Sequence, residues 1–137
     1  MTSIVLDASV AIKWFFEESD SDKASALQAE LHHQTIQAIV PQLFFFEIAN
    51  VIKTKPKSTI AELKTAIKIL FDLPLITTLI DAKTLAKAAF YAHKYNLSIY
   101  DASYLALAKI NQAILISADD KMVRQVKLPF VKLLSSV

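Results

Sequence analysis

Four acids in this chain sit where an ordinary structural explanation is weakest. Asp7 follows the apolar run Ile4-Val5-Leu6, and Asp119 follows a second run, AILIS at 113–117. Asp101 opens a helical segment, and Glu47 lies inside the very apolar stretch FFFEIANV. Burying an unpaired carboxylate costs several kcal/mol, so Glu47 must either face solvent or meet a compensating charge. Carboxylates that converge without a cationic partner repel one another, and a bound divalent cation offsets the repulsion. A set of oxygen ligands suits Mg²⁺ or Mn²⁺. Asn50, three residues after Glu47, shares its helix face. The competing explanation for Asp7, Asp101 and Asp119 is plain helix capping, with Asp120 answering a helix dipole.

Convergence needs elements that bring these positions together. Residues 3–6, 36–40, 75–80, 113–117 and 129–133 read as strands. Between them lie helical segments: 8–18, 19–33, 42–54, 58–72 capped by Ser58, 82–95 capped by Asp81 and ended by Asn96, 100–111, and 119–126. This alternation is the α/β pattern, a mostly parallel sheet of four or five strands with helices on both faces. In such a sheet the strands' carboxyl ends share one edge, and ligands bind in the crevice there. Asp7 and Asp119 both fall at such ends. No linker or repeat divides the 137 residues, so one domain is expected over 1–137.

Composition narrows the chemistry further. The chain has no cysteine, which removes thiol nucleophiles, disulfides and cysteine-held zinc. It has no glycine, which removes the phosphate-binding loop, the dinucleotide fingerprint and the usual calcium loop. A net charge of +2 means that any contact with nucleic acid must come from local placement of charge. The N-terminus carries an early acid and no basic region, and no uninterrupted apolar span is long enough for a membrane. A cytoplasmic domain is the expectation.

The acid-bearing segments carry a resemblance. IVLDASV at 4–10, EIAN at 47–50, IYDASYLALA at 99–108 and ILISADD at 114–120 resemble, in order and spacing, the motifs of PIN-domain ribonucleases. The likeness is specifically to VapC toxins of type II toxin–antitoxin pairs. It covers essentially the whole chain and implies a PIN-like three-layer fold. It implies a Mg²⁺- or Mn²⁺-dependent endoribonuclease that hydrolyses RNA phosphodiesters. Asp7, Asp101 and Asp119 would then be direct or water-mediated ligands. Glu47 would bind a second metal or orient the attacking water. Ser9, Asn50 and Ser117 would hold the carboxylates in place. The resemblance also implies a homodimer and an antitoxin seated in a groove near the first and third helices.

Lys13, Lys121 and Arg124, with the Lys53, Lys55 and Lys57 cluster, are candidates for phosphate contact. The trios Trp14-Phe15-Phe16 and Phe44-Phe45-Phe46 span about 200° of a helix, so one member of each should face away from the core. His32, His33 and His93 lack metal-ligand spacing. The main alternative is a catalytically silent PIN-like module that binds protein or RNA. A haloacid-dehalogenase-type phosphatase would want an acid at position 9, where this chain has Ser, and a receiver domain would want an acid adjacent to Asp7.

Overall fold

A computed structural model describes residues 1–137. Its strands are β1 (Thr2–Leu6), β2 (Ile36–Pro41), β3 (Ile76–Thr78), β4 (Ile114–Ser117) and β5 (Val131–Leu133). They form one wholly parallel sheet in the order β3-β2-β1-β4-β5. The helices are α1 (Ala8–Ala11), α2 (Ser21–His32), α3 (Leu43–Thr54), α4 (Ile60–Asp72), α5 (Ala82–Tyr95), α6 (Ile99–Ile110) and α7 (Asp120–Val126). The expected α/β architecture is therefore present, with all five strands.

The strand order positions the site. From β1 the chain winds outward through β2 to β3, then returns across the sheet to β4 and β5. Parallel crossovers are right-handed, so reversing the direction of winding moves the later helices to the opposite face. Contacts agree: α3 packs on α1 and α4, whereas α6 packs on α5 and lies across β1, β2 and β4. The winding reverses between β1 and β4, and a crevice opens beyond their carboxyl ends. The adjacent inner strands β1 and β4 are apolar on both faces, because helices cover both. Val5, Leu6 and Leu115 are fully buried.

Several local readings hold, and a few need correcting. Asp81 caps α5 by accepting the Thr84 N–H at 2.8 Å, and Asn96 ends α5 in the left-handed region at φ 54°. With no glycine to spend, the chain also sets Asp20, Gln34, Lys57, Gln112 and Lys127 at positive φ. The cap of α4 is Thr59, which accepts the Glu62 N–H, and not Ser58.

The helix expected over 8–18 stops at Ala11 and tightens into a 3₁₀ turn at Ile12–Trp14. Tertiary contacts override helix propensity there. The Trp14 indole donates to the Ala24 carbonyl at 2.8 Å, and Phe16 O accepts from Ser21. Trp14, Phe15 and Phe16 consequently all lie half-buried against the core, and none faces away. The second trio behaves as expected. Phe44 is buried, Phe45 stacks on Phe71 at 4.4 Å, and Phe46 is 74% exposed. No helix is long and apolar enough to cross a membrane.

Candidate active site

Pairing in the sheet makes the first contact. Leu6 stands opposite Ile116, and the Asp7 N–H extends the ladder to the Ile116 carbonyl at 3.1 Å. Asp7 and Ser117 thus leave adjacent strands side by side. Asp7 holds the N-cap position of α1 but makes no capping bond. Its Oδ2 instead accepts from Ser9 Oγ at 2.7 Å and from Ser117 Oγ at 2.8 Å.

Each serine also accepts a backbone proton. Ser9 Oγ takes the Ala118 N–H at 2.9 Å, and Ser117 Oγ takes the Asp119 N–H at 3.0 Å. Because both hydroxyl protons are committed to Asp7, the 3.4 Å approach of the two serine oxygens is a contact and not a bond. The network ties the ends of β1 and β4 to the start of α1. It also fixes the Asp7 rotamer from one side only. No bond reaches Oδ1, and no buried side-chain oxygen in the protein lacks a partner, so Oδ1 opens on the crevice.

Asp101 comes from α6. Ser98, not Asp101, opens and caps that helix, accepting the Asp101 N–H at 3.1 Å. The Asp101 side chain is therefore released from the capping role the sequence allowed it. Asp119 does cap α7, accepting the Met122 N–H through Oδ1 at 3.1 Å. That bond occupies one oxygen and leaves Oδ2 without a bond to the protein.

Glu47 lies half-buried on α3, and its Oε1 accepts the Tyr104 hydroxyl at 2.6 Å. Tyr104, one turn beyond Asp101 on α6, is 1% exposed. It is the residue the sequence reading missed. Its i,i+3 spacing from Asp101 was a usable signal, but only the tertiary structure brings it to Glu47. Asn50 is exposed and bonds to none of these acids.

The electrostatics show a site that resists its own charge. Asp7, at 9% exposure, has its carboxyl pushed above the ordinary range. Desolvation is the largest cause, the two serine bonds oppose it, and repulsion from Asp101 and Asp119 adds to it. Glu47 is raised by burial and by Asp7 and Asp101, against the lowering effect of Tyr104. Asp101 is raised by burial and by Asp119, against the lowering effect of the Ser98 hydroxyl. Burial and the neighbouring Glu47 push the Tyr104 hydroxyl upward too, so it stays a proton donor. Asp7 thus feels the charge of each of the other three acids, and Asp101 that of Glu47 and Asp119.

No lysine or arginine pairs with any of them. The protein's four ion pairs are Lys13–Glu18, Lys55–Glu62, Lys68–Asp72 and Arg124–Asp120. Two of the expected phosphate contacts, Lys13 and Arg124, are thus already engaged by acids, at 3.3 Å and 2.8 Å. Lys121 is exposed and in no ion pair, as are Lys53 and Lys57. The three histidines are exposed.

The donor set fits a hard divalent cation. No three of the acids stand closed up as a ready-made cage. Mg²⁺ keeps several waters and needs only one or two carboxylates, so an open array suits it. Asp7 Oδ1 and Asp119 Oδ2, both free of protein bonds, and the Asp101 carboxylate are the oxygens that would hold it. A cation would also relieve the repulsion that raises Asp7 and Asp101.

Comparison with known proteins agrees with this architecture. No curated protein is a significant match to the sequence. Among solved structures, a toxin–antitoxin complex from Klebsiella pneumoniae superposes with a TM-score of 0.68 at 18% identity, covering 96% of this chain and 97% of that one. FitAcB from Neisseria gonorrhoeae gives 0.70 at 14% identity, covering 98% and 99%. VapC20 from Mycobacterium tuberculosis, described as a sarcin–ricin-loop-cleaving toxin, gives 0.68 at 12% identity, covering 88% and 94%. These likenesses are to the fold. The family model for the PIN domain matches residues 4–128, a span that includes all four carboxylates. On that match the chain belongs to the PIN-domain family.

Proposed function

We propose that the protein is a divalent-metal-dependent endoribonuclease and the toxin of a toxin–antitoxin pair. The observation that carries the reading is the half-satisfied Asp7 carboxylate. Two serines grip one oxygen, the other faces the crevice, and the charges of Asp101, Asp119 and Glu47 bear on it with no lysine or arginine paired to any of them. A binding module gains nothing from such an arrangement, which costs stability in the absence of an ion. RNA as substrate and the toxin role are supported by membership of the PIN-domain family and by the likeness to a toxin–antitoxin complex and to a sarcin–ricin-loop-cleaving toxin.

A Mg²⁺ or Mn²⁺ ion bound there would polarise a phosphoryl oxygen and make a bound water more acidic. The protein's own groups do the rest. Asp7, Asp101 and Asp119 present oxygens across the carboxyl ends of β1 and β4 and the first turn of α6. Ser9 and Ser117 prevent Asp7 from rotating away. Glu47 orients the attacking water and takes its proton. Its raised proton affinity makes it a stronger base than an ordinary carboxylate. Tyr104 aims that carboxylate.

Two apolar surfaces support the expected partners. A groove of about 380 Å³ lined by Phe15, Phe16, Ile52, Ala66 and Ile69 fits the apolar face of an antitoxin segment. Exposed Leu79, Ile80 and Tyr100, beside the carboxyl end of β3, offer a surface for a second copy of the chain.

The test is cleavage of cellular RNA by purified protein in Mg²⁺, in EDTA, and by folded Asp101→Asn in Mg²⁺. Cleavage only in the first case supports the reading; equal cleavage in all three would remove it. Tyr104→Phe keeps the buried ring and deletes only the proton given to Glu47. It should lower kcat by roughly tenfold, as removal of a ligand-orienting bond typically does. Because that bond lowers the Glu47 proton affinity, its loss should move the acid limb of the rate–pH profile toward higher pH. A lower rate with an unmoved limb would reduce Tyr104 to a packing role.

A further inference from the structure

We propose that an exposed flank of α5 is a second RNA contact, a stripe that binds the backbone and one base of a single strand away from the cleavage centre. It rests on the ribonuclease reading and names where that substrate is also held. Lys83, Lys87, Phe90 and Lys94 follow one another at i, i+4, i+7 and i+11, so they form one line along the helix. The buried residues of α5, Ala88 and Tyr91, lie about 100° round the helix from the middle of this line. The line extends about 16 Å at 1.5 Å per residue.

Charge and exposure distinguish this stripe from an ordinary solvated face. Between Ala82 and Tyr95 there is no acid. The nearest in sequence, Asp81, commits its carboxylate to the Thr84 N–H and lies beside Lys83 only. Lys87 and Lys94 enter none of the protein's ion pairs, nor does Lys109, which joins Lys83 and Lys87 around one shallow pocket. The rest of the chain, by contrast, has slightly more acids than bases. The small net positive charge of the protein is therefore concentrated here.

Phe90 supplies the second, independent observation. Its ring is 53% exposed at the middle of the line. The ammonium groups of Lys87 and Lys94 stand 5.4 and 5.6 Å from its centroid, one on each side along the helix. An exposed aromatic bracketed by unpaired cations is the arrangement that binds single strands, where bases stack on the ring and phosphates meet the lysines. The stripe also leads toward the cleavage centre. Its Lys94 end is joined by the turn at 96–98 to the first turn of α6, which carries Asp101. Gln125 of α7 donates to the Tyr95 carbonyl and holds that end in place.

The experiment is fluorescence anisotropy with a labelled uridine oligomer of about twenty nucleotides, on the full chain in EDTA. Each lysine that neutralises a phosphate on a single strand contributes about 0.7 to the slope of log K against log salt. Lys87→Ala/Lys94→Ala should lower that slope by about 1.4 and weaken binding roughly twentyfold at about 0.1 M salt. Phe90→Ala should weaken binding about tenfold and leave the slope unchanged. Lys64→Ala/Lys68→Ala, with the same charge change on exposed α4 positions, should have little effect.

No wild-type binding at low salt would overturn the proposal, as would equal losses in the α4 control. So would a change in oligomeric state in the α5 variants, which would assign the stripe to a second copy. Because binding is read without a metal, cleavage of RNA in Mg²⁺ by the same proteins reports the ribonuclease reading separately.

Discussion

Asp7→Asn should reduce RNA cleavage at least about a thousandfold, and the same substitution should raise the melting temperature at about pH 7. A thousandfold loss corresponds to about 4 kcal/mol of transition-state stabilisation, which is the scale of a lost metal ligand. The gain in stability follows from what the site costs. Burial first, and then Asp101 and Asp119, hold the folded-state carboxyl of Asp7 above its ordinary value despite the two serine bonds.

Between the unfolded and the folded midpoints the folded protein therefore holds the extra proton. Stability is fully present below the unfolded value, near 4, and is lost as pH rises through the folded one. Each pH unit between the two midpoints is worth about 1.4 kcal/mol. Asn carries no charge at any pH, and its carbonyl oxygen can accept both serine protons in place of Oδ2. The stability gap between Asp7→Asn and wild type in EDTA should thus be widest at neutral pH and close below about pH 4. Thermal melts across that range check it. A variant less stable than wild type at every pH would mean that the Asp7 charge is already compensated.

The second large effect is that of the cation itself. Mn²⁺ at a hundred times its dissociation constant should stabilise the wild type by about 2.7 kcal/mol. For a domain of this size that is a rise of roughly 8–10 °C in Tm. The rise should vanish in Asp7→Asn and Asp101→Asn, and it should fade in the wild type as pH falls and protons displace the ion. Electron paramagnetic resonance of Mn²⁺ counts the sites directly. Equal shifts in all three proteins would show that the acids do not share an ion.

Much of this was legible in the order of residues. The apolar runs at 4–6 and 114–116 belong to two adjacent inner strands, and the acid after each falls at a strand's carboxyl end. Local chemistry likewise foretold Asp81 as a cap and Asn96 as a helix end, because both depend only on neighbours within one turn. The resemblance of the acid-bearing segments to the motifs of the PIN family put Asp7, Glu47, Asp101 and Asp119 forward as one set. What local pattern could not supply was the strength of competing tertiary contacts. The helix expected through residue 18 yields at Ala11, because burying Trp14, Phe15 and Phe16 together outweighs continued helical bonding.

The site divides along the same line. The sequence by itself determined which carboxylates exist, that no thiol, disulfide or glycine loop could do the chemistry, and that strand ends would present Asp7 and Asp119 on one edge. Only the tertiary structure decided how each acid is held. It placed β1 beside β4, so that Ser9 and Ser117 both grip Asp7 Oδ2 and leave Oδ1 free. It brought Tyr104 from α6 to Glu47 on α3, and it left Asn50 outside the network. The physical reason is that capping and periodicity are set within a few residues. A hydrogen bond between positions 7 and 117 depends on strand order, which emerges only when the whole sheet assembles.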